Sequence, residues 1–202
     1  MRQPLKLGFL ASGNGSSAEA IVGAVRSGTL TAEPRLMVSN RKEAAALTWA
    51  REQGLDARHI ATVPDAEAGD AALAAAMLEA GVDLIVLSGY LRRLGPRVLE
   101  AFAGRIINIH PGPLPQFGGE GMYGRRVHEA VLAAGLSETA VVIHVVDGDY
   151  DRGPELARRA VPVMAGDAAA DLEDRVKAAE PDFFVETLRR IVAGELELPH
   201  VG

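Results

Sequence analysis

Residues 106–115 have the sequence Ile-Ile-Asn-Ile-His-Pro-Gly-Pro-Leu-Pro, an apolar run that stops at the first of three prolines. The alternation predicts a β-strand with Asn108 and His110 on one face and Ile107 and Ile109 on the other. Proline lacks an N–H and biases its predecessor towards extended conformations, so the strand is expected to end there. An amide and an imidazole then share the carboxyl end of a strand, where open α/β sheets bind ligands. Taken alone, the pattern also fits a strand end whose polar residues tie down a turn.

Strand-like apolar runs and helical patterns alternate along the whole chain. This alternation predicts an α/β fold, a Rossmann-like doubly wound sheet that is mostly parallel and has helices on both faces. The last two strand-like runs predict a hairpin-like return, and so an antiparallel edge near the carboxy-terminal third. The final helix contains Pro181, which we expect to kink or divide it. The strand-like runs cover residues 5–11, 35–39, 56–60, 83–88, 106–110, 140–146 and 155–163, and the final helix covers residues 167–193.

Length and composition restrict the classes of function. A chain of 202 residues fits a single domain, residues 1–202, and a formal net charge of −6 argues against a nucleic-acid or anionic-membrane surface. No apolar run approaches the ~20 residues that span a bilayer, and residues 1–4 leave no room for a signal peptide before the first strand. Cysteine is absent, which excludes disulfides and thiol chemistry and favours a cytoplasmic location.

A glycine-rich turn follows the first strand and is formed by Gly13, Asn14, Gly15, Ser16 and Ser17. Strand, glycine turn and helix together aim backbone N–H groups at an anion, and we expect the two serines to cap the helix. The turn is not a dinucleotide fingerprint, because alanine follows it where a third glycine is usual and the second strand ends without an acidic residue. A mononucleotide phosphate therefore fits better than NAD, although such turns are also common as pure structure.

Residues 116–124 contain four glycines, too many for the interior of a helix or strand. We interpret this segment as a mobile loop over the strand ends and a candidate lid, with a plain connector as the alternative. The next helix opens with Arg125, Arg126 and His128, to which we assign no chemistry.

A third polar cluster, around Asp151, follows the strand over residues 140–146. We expect it at the same sheet edge as the other two clusters, which are the glycine-serine turn and the pair Asn108 and His110. An aspartate beside His110 would orient its ring and favour the charged form. Asn108 can donate a hydrogen bond to an oxygen that gains negative charge, and a histidine can carry a proton near neutral pH. The Gly-x-Ser-x-Gly motif is missing, and the five histidines have no paired spacing typical of a metal site. What remains is transfer of an acyl group to a nucleophile held in place.

Five motifs, in order and with compatible spacing, resemble the glycinamide ribonucleotide formyltransferase family. The resemblance runs from Lys6 to about Gly194, and residues 117–124 resemble a variant loop of some members. The motifs are Ser-Gly-Asn-Gly-Ser at 12–16, Gly-Tyr-Leu-Arg at 89–92, Asn-Ile-His-Pro at 108–111, Leu-Pro at 114–115 and Asp-Arg-Gly-Pro at 151–154.

The resemblance implies formyl transfer from 10-formyltetrahydrofolate to the amine of glycinamide ribonucleotide, without a metal. Asn108 would stabilise the oxyanion, Asp151 would orient and charge His110, and His110 would assist proton transfer towards the departing folate nitrogen. A phosphate-binding half would cover about residues 5–100, and a folate and catalytic half about 101–194. Substrate phosphate and ribose would contact Gly13, Asn14, Gly15, Ser16, Ser17, Lys177 and Glu180. Folate would contact Leu91, Arg92, Leu94, Val145, Val146 and Asp147. The binding partners would be these small molecules. The protein would be a monomer or a homodimer.

Three positions depart from the family pattern. Val142 stands where serine or threonine is usual, Pro181 replaces a histidine that commonly follows the glutamate, and Ser17 stands where asparagine is common. The acceptor amine therefore stays open, with an amino sugar nucleotide or methionyl-tRNA in place of glycinamide ribonucleotide. The sequence also leaves two other functions open. The protein could be a formyltetrahydrofolate deformylase or a non-catalytic nucleotide- or folate-binding relative.

Overall fold

The protein is described by a computed structural model that covers residues 3–199. Two of the four residues on which the expectation of no signal peptide rests, and both ends of the predicted domain, lie outside this range. The strands are β1 Leu5–Leu10, β2 Ala32–Ser39, β3 Asp56–His59, β4 Leu84–Leu87, β5 Ile106–His110, β6 Glu138–Val145 and β7 Glu155–Pro162. The helices are α1 Ser16–Arg26, α2 Ala45–Glu52, α3 Ala66–Glu79, α4 Pro96–Ala101, α5 Arg125–Ala133 and α6 Ala169–Ala193.

The seven strands form one sheet in the order β3-β2-β1-β4-β5-β6-β7. The strands β1 to β5 pair in parallel, whereas β6 is antiparallel to both β5 and β7. The predicted fold class, with its antiparallel carboxy-terminal edge, is confirmed. Among residues 3–199, no helix is long and apolar enough to span a membrane.

Alternate residues of the central strands pack into two hydrophobic cores, one on each face of the sheet. In β4, Leu84 and Val86 face a core shared with α1, α2, α5 and α6, whereas Ile85 and Leu87 face a core shared with α3 and α4. Burial on both faces explains why the parallel strands are continuously apolar rather than alternating. The α3 and α4 core takes Ile106 from β5 and no buried residue from β6 among the described residues. Asn108, His110 and His144, the polar residues on this face of β5 and β6, therefore lie beyond the last buried apolar residue of this core.

Helix α6 is continuous over its 25 residues, so Pro181 does not divide it, and the alternative of a kink stays a prediction. Leu172 and Val176 before the proline, and Phe184 and Leu188 after it, are fully buried in one core. Tertiary packing of an apolar face contributes most of the stability of a helix in a protein. Burial on both sides of the proline therefore holds the helix together despite the lost hydrogen bond.

Candidate active site

The antiparallel pairing of β5 and β6 builds one polar surface. Asn108 lies opposite His144 and His110 lies opposite Val142, so these side chains share a face of the sheet. The Asn108 Nδ2 atom is 3.2 Å from His144 Nε2, while His144 Nδ1 is 3.0 Å from the Val145 carbonyl oxygen. Because the amide nitrogen carries two hydrogens, contact with His144 leaves one available for another acceptor.

Asp151 reaches this surface from the loop that joins β6 to β7. Its Oδ2 is 3.4 Å from His110 Nδ1, and its Oδ1 is 3.4 Å from His144 Nε2. Val145 pairs with Ile107, near the start of β5, so the loop leaves the sheet at the amino edge and folds back over the face. Because β6 runs against the parallel strands, the loop starts at the edge opposite to the expected one, and Asp151 reaches His110 by crossing the face.

The segment 116–124 closes over the histidine. His110 Nε2 lies 2.7 Å from the carbonyl oxygen of the buried Phe117, and the Gly119 N–H donates to Asp151 Oδ2 at 3.1 Å. A Cβ atom on Gly118 would lie only 2.8 Å from the Asp151 Cβ, so glycine permits this close approach. The segment thus forms part of the site, and its movement as a lid stays a prediction.

Two opposing influences act on the charge of His110. Burial lowers the pKa of His110, while the negative charge of Asp151 and the Phe117 carbonyl raise it and only partly compensate. Burial also raises the pKa of Asp151, but the contacts with His144, His110 and the Gly119 N–H outweigh it and leave this pKa below its usual range. Asp151 is therefore a carboxylate at neutral pH, as the predicted orienting role requires. Asp151 raises the pKa of His110, which is the predicted direction, although burial lowers this pKa more strongly.

The glycine-serine turn stands at the start of α1 without a side-chain cap. Gly15 is the N-cap, with φ of 74°, and Ser16 and Ser17 are the first two helical residues, so the expected capping by the serines is wrong. Ser88, from the end of β4, takes that role because its Oγ accepts from the Ala18 N–H at 3.1 Å. The N–H groups of Ser16 and Ser17 have no acceptor within the helix and are available to an anion.

Exposure around the turn also favours a ligand there. Gly13, Asn14 and Ser16 are exposed, whereas Gly15 and Ser17 are buried. A Cβ atom on Gly13 would meet nothing within 4 Å, so the space next to it is open. The turn follows β1, and β4 alone separates β1 from β5, which places it roughly 10 Å from the end of β5 at ordinary strand spacing.

The two predicted substrate residues on α6 differ in their surroundings. Lys177 Nζ lies 2.6 Å from Oε1 of the buried Glu173, which also binds Arg125 Nε at 2.8 Å. Within residues 3–199, Glu180 has no hydrogen bond or ion pair, and burial raises its pKa to about 7 against a lowering by Lys177. The structure thus pairs Lys177 with Glu173 and leaves the Glu180 carboxyl only partly compensated, by the more distant charge of Lys177. Contact of either residue with a substrate stays a prediction.

The predicted folate residues come from two segments that meet at the α3 and α4 core. Leu94 is buried in this core and Val146 packs against it, while Val145 is buried in the opposite core. Leu91, Arg92 and Asp147 are exposed around them.

Sequence reasoning assigned no role to His144, which lies in β6. It contacts both Asn108 and Asp151, but only the antiparallel register shows this.

Among the described residues, no group of three or more His, Asp or Glu side chains could hold a metal ion.

Comparison with known proteins relates this geometry to a family. A family model described as "Formyl transferase" matches residues 5–188. The chain is 36% identical to a chloroplastic phosphoribosylglycinamide formyltransferase of Vigna unguiculata over 92% of its length, and it spans 60% of that relative. It is 33% identical to the Escherichia coli phosphoribosylglycinamide formyltransferase, covering 94% of this chain and 88% of the relative. Glycinamide ribonucleotide transformylase 1 from Symbiobacterium toebii superposes with a TM-score of 0.89 at 34% identity, covering 98% of this chain and 92% of that one. The chain therefore belongs to the formyl transferase family.

Proposed function

We propose that this chain transfers a formyl group from 10-formyltetrahydrofolate to the amine of glycinamide ribonucleotide, in purine biosynthesis. The observation that carries the proposal is the convergence of Asn108, His110 and Asp151 on one face of the sheet. Relatives named for this activity, at 33% and 36% identity, support the choice of acceptor.

The proposed reaction begins when the amine nitrogen attacks the formyl carbon. A carbon–nitrogen bond forms, and the formyl oxygen gains negative charge. The second Nδ2 hydrogen of Asn108 would donate to this oxygen. The bond from the formyl carbon to the folate nitrogen then breaks, the amine loses a proton and the departing nitrogen gains one. His110, oriented by Asp151, would carry that proton.

The same proposal assigns the binding residues. The turn of Gly13, Asn14, Gly15, Ser16 and Ser17 would hold the phosphate with Lys177, supported by the free N–H groups at the start of α1. Glu180 would hold the amine or ribose, supported by its lack of a partner among the described residues. Leu91, Arg92, Leu94, Val145, Val146 and Asp147 would line the folate pocket.

We also infer a single domain, with a phosphate-binding half over about residues 5–100 and a catalytic half over about 101–194. The continuous sheet from β3 to β7 supports this assignment. A cytoplasmic location is supported by the absence of cysteine. The monomer or homodimer state stays a prediction.

The direct test is release of tetrahydrofolate by purified protein given 10-formyltetrahydrofolate and glycinamide ribonucleotide. We expect turnover, and we expect His110→Ala and Asp151→Asn each to lower the rate by a factor of order 100 while circular dichroism shows a retained fold. Wild-type rates in either variant would reject the proposed machinery. Turnover only with an amino sugar nucleotide or methionyl-tRNA would reassign the acceptor, and release without any amine would indicate a deformylase. Binding without turnover of any amine would indicate a non-catalytic relative.

A further inference from the structure

Arg93 extends from a firmly held segment between β4 and α4. On one side of it, the Leu91 N–H donates to Ser12 Oγ at 2.8 Å, and Ser12 Oγ donates to Asn40 Oδ1 at 2.6 Å. On the other side, Leu94 is buried in the α3 and α4 core. The backbone around Arg93 is therefore fixed, while its side chain is 62% exposed and reaches across the surface.

The Arg93 side chain contacts three consecutive residues of the loop that carries Asp151. Its Nη2 donates to the Gly148 carbonyl oxygen and lies 3.9 Å from Asp149 Oδ1. Its Cζ is 5.8 Å from the centre of the Tyr150 ring. These three residues immediately precede Asp151, so the guanidinium links the fixed segment to the start of the proposed catalytic carboxylate.

The backbone at Asp151 needs such support. Its φ of 54° lies in the left-handed region, which non-glycine residues adopt at an energetic cost. Residues 147–150 are all exposed, so the core does not hold them in place. A planar guanidinium can hydrogen-bond a carbonyl and pack on an aromatic ring at once, which a lysine ammonium does poorly.

We propose that Arg93 is a positioning residue that holds the 147–150 loop so that Asp151 faces His110 and His144. The expected effect of Arg93 on the rate rests on the proposed function, whereas its expected effect on the loop does not. At exposed positions, a hydrogen bond, a weak ion pair and a cation–π contact together favour the ordered form of a loop by about tenfold. We therefore expect Arg93→Ala to lower kcat for formyl transfer about tenfold.

Two readouts separate positioning from a general structural role. The KM for glycinamide ribonucleotide should stay unchanged in Arg93→Ala, because the glycine-serine turn belongs to another segment. Amide hydrogen–deuterium exchange should accelerate in residues 147–151 and not in the core strands. Arg93→Lys should recover part of kcat, because the lysine keeps the charge, and Tyr150→Phe should behave as wild type, because it keeps the ring.

Arg97→Ala is the matched control, because Arg97 is 59% exposed and, within residues 3–199, its side chain pairs only with Glu67, at 3.4 Å. We expect wild-type kcat and exchange for this variant. The proposal is overturned if Arg93→Ala keeps kcat within threefold of wild type, if exchange in residues 147–151 is unchanged, or if Arg97→Ala shows the same losses. Because exchange needs no turnover, an inactive wild-type protein would overturn formyl transfer and still leave the contact between Arg93 and the loop testable.

Discussion

Glu180→Gln should make the protein more stable and a poorer binder of its substrate. Burial is the main reason that the pKa of Glu180 rises from 4.5 to about 7, and Lys177 offsets only part of this effect. A pKa difference of about 2.5 corresponds to about 3 kcal/mol between the two protonation states. Glutamine resembles the protonated side chain and cannot ionise, so the variant avoids this cost of the half-buried carboxylate.

The sign of the pH dependence follows from linkage. The folded protein binds the Glu180 proton more tightly than the unfolded chain, so this contribution to stability is complete below about pH 4.5 and is lost as pH rises to about 7. We therefore expect Glu180→Gln to raise the free energy of unfolding by about 3 kcal/mol at pH 8. At pH 4.5 the two proteins should differ by less than about 0.5 kcal/mol.

Urea unfolding of both proteins at pH 8 and pH 4.5, followed by circular dichroism, measures this difference. Asp182→Asn is the matched control, because Asp182 is an exposed carboxylate on the same helix. It should change the free energy by less than about 0.5 kcal/mol at either pH. Equal unfolding free energies of wild type and Glu180→Gln at pH 8 would refute the reasoning. A raised KM for glycinamide ribonucleotide in Glu180→Gln would support a role in holding the amine.

Three further predictions address the catalytic face and the turn, and a fourth addresses pH. Asn108→Ala should lower kcat by about 10²–10³-fold, because the oxyanion donor is lost, and an unchanged kcat in steady-state assays would contradict that role. Gly118→Ala should lower kcat about tenfold or more by displacing Leu114 and Asp151, because the new methyl group would overlap the Leu114 Cδ2 atom and lie 2.8 Å from the Asp151 Cβ atom. Gly13→Ala meets no atom within 4 Å, so its melting temperature should match wild type while its KM for the nucleotide rises. Asp151→Asn should destabilise the protein at pH 7 and less so at about pH 3, because the lowered pKa of the carboxylate stabilises the fold fully above the ordinary value of 3.8 and loses this effect as pH falls below it. Urea titrations at both pH values test the sign.

Local chemistry determined the parts of the fold that the sequence predicted well. Strand β5 ends at His110 as expected because proline follows, and helix α4 begins at Pro96, a residue type that favours the first turn of a helix. The errors arose where distant segments decide. Ser88 lies 70 residues from the amide it caps, and burial on both sides of Pro181 is a tertiary property. The Lys177 contact with Glu173 competes with the predicted phosphate role, and spacing alone does not say which partner the ammonium chooses.

The reversal of β6 is the step that brings the polar residues of two strands together on the proposed catalytic face. Antiparallel pairing sets His144 directly opposite Asn108, and a slip of one residue would turn His144 into the apolar core. The pairing of β6 with β7 shifts register between Ile143 and His144, an irregularity of the kind that re-aims side chains beside active sites. The same reversal sends the following loop back across the face, where Asp151 meets both histidines. Since register depends on partners that the local sequence does not specify, the sequence indicated that Asp151 lies beside His110 but gave neither the contacts of His144 nor the route of the loop.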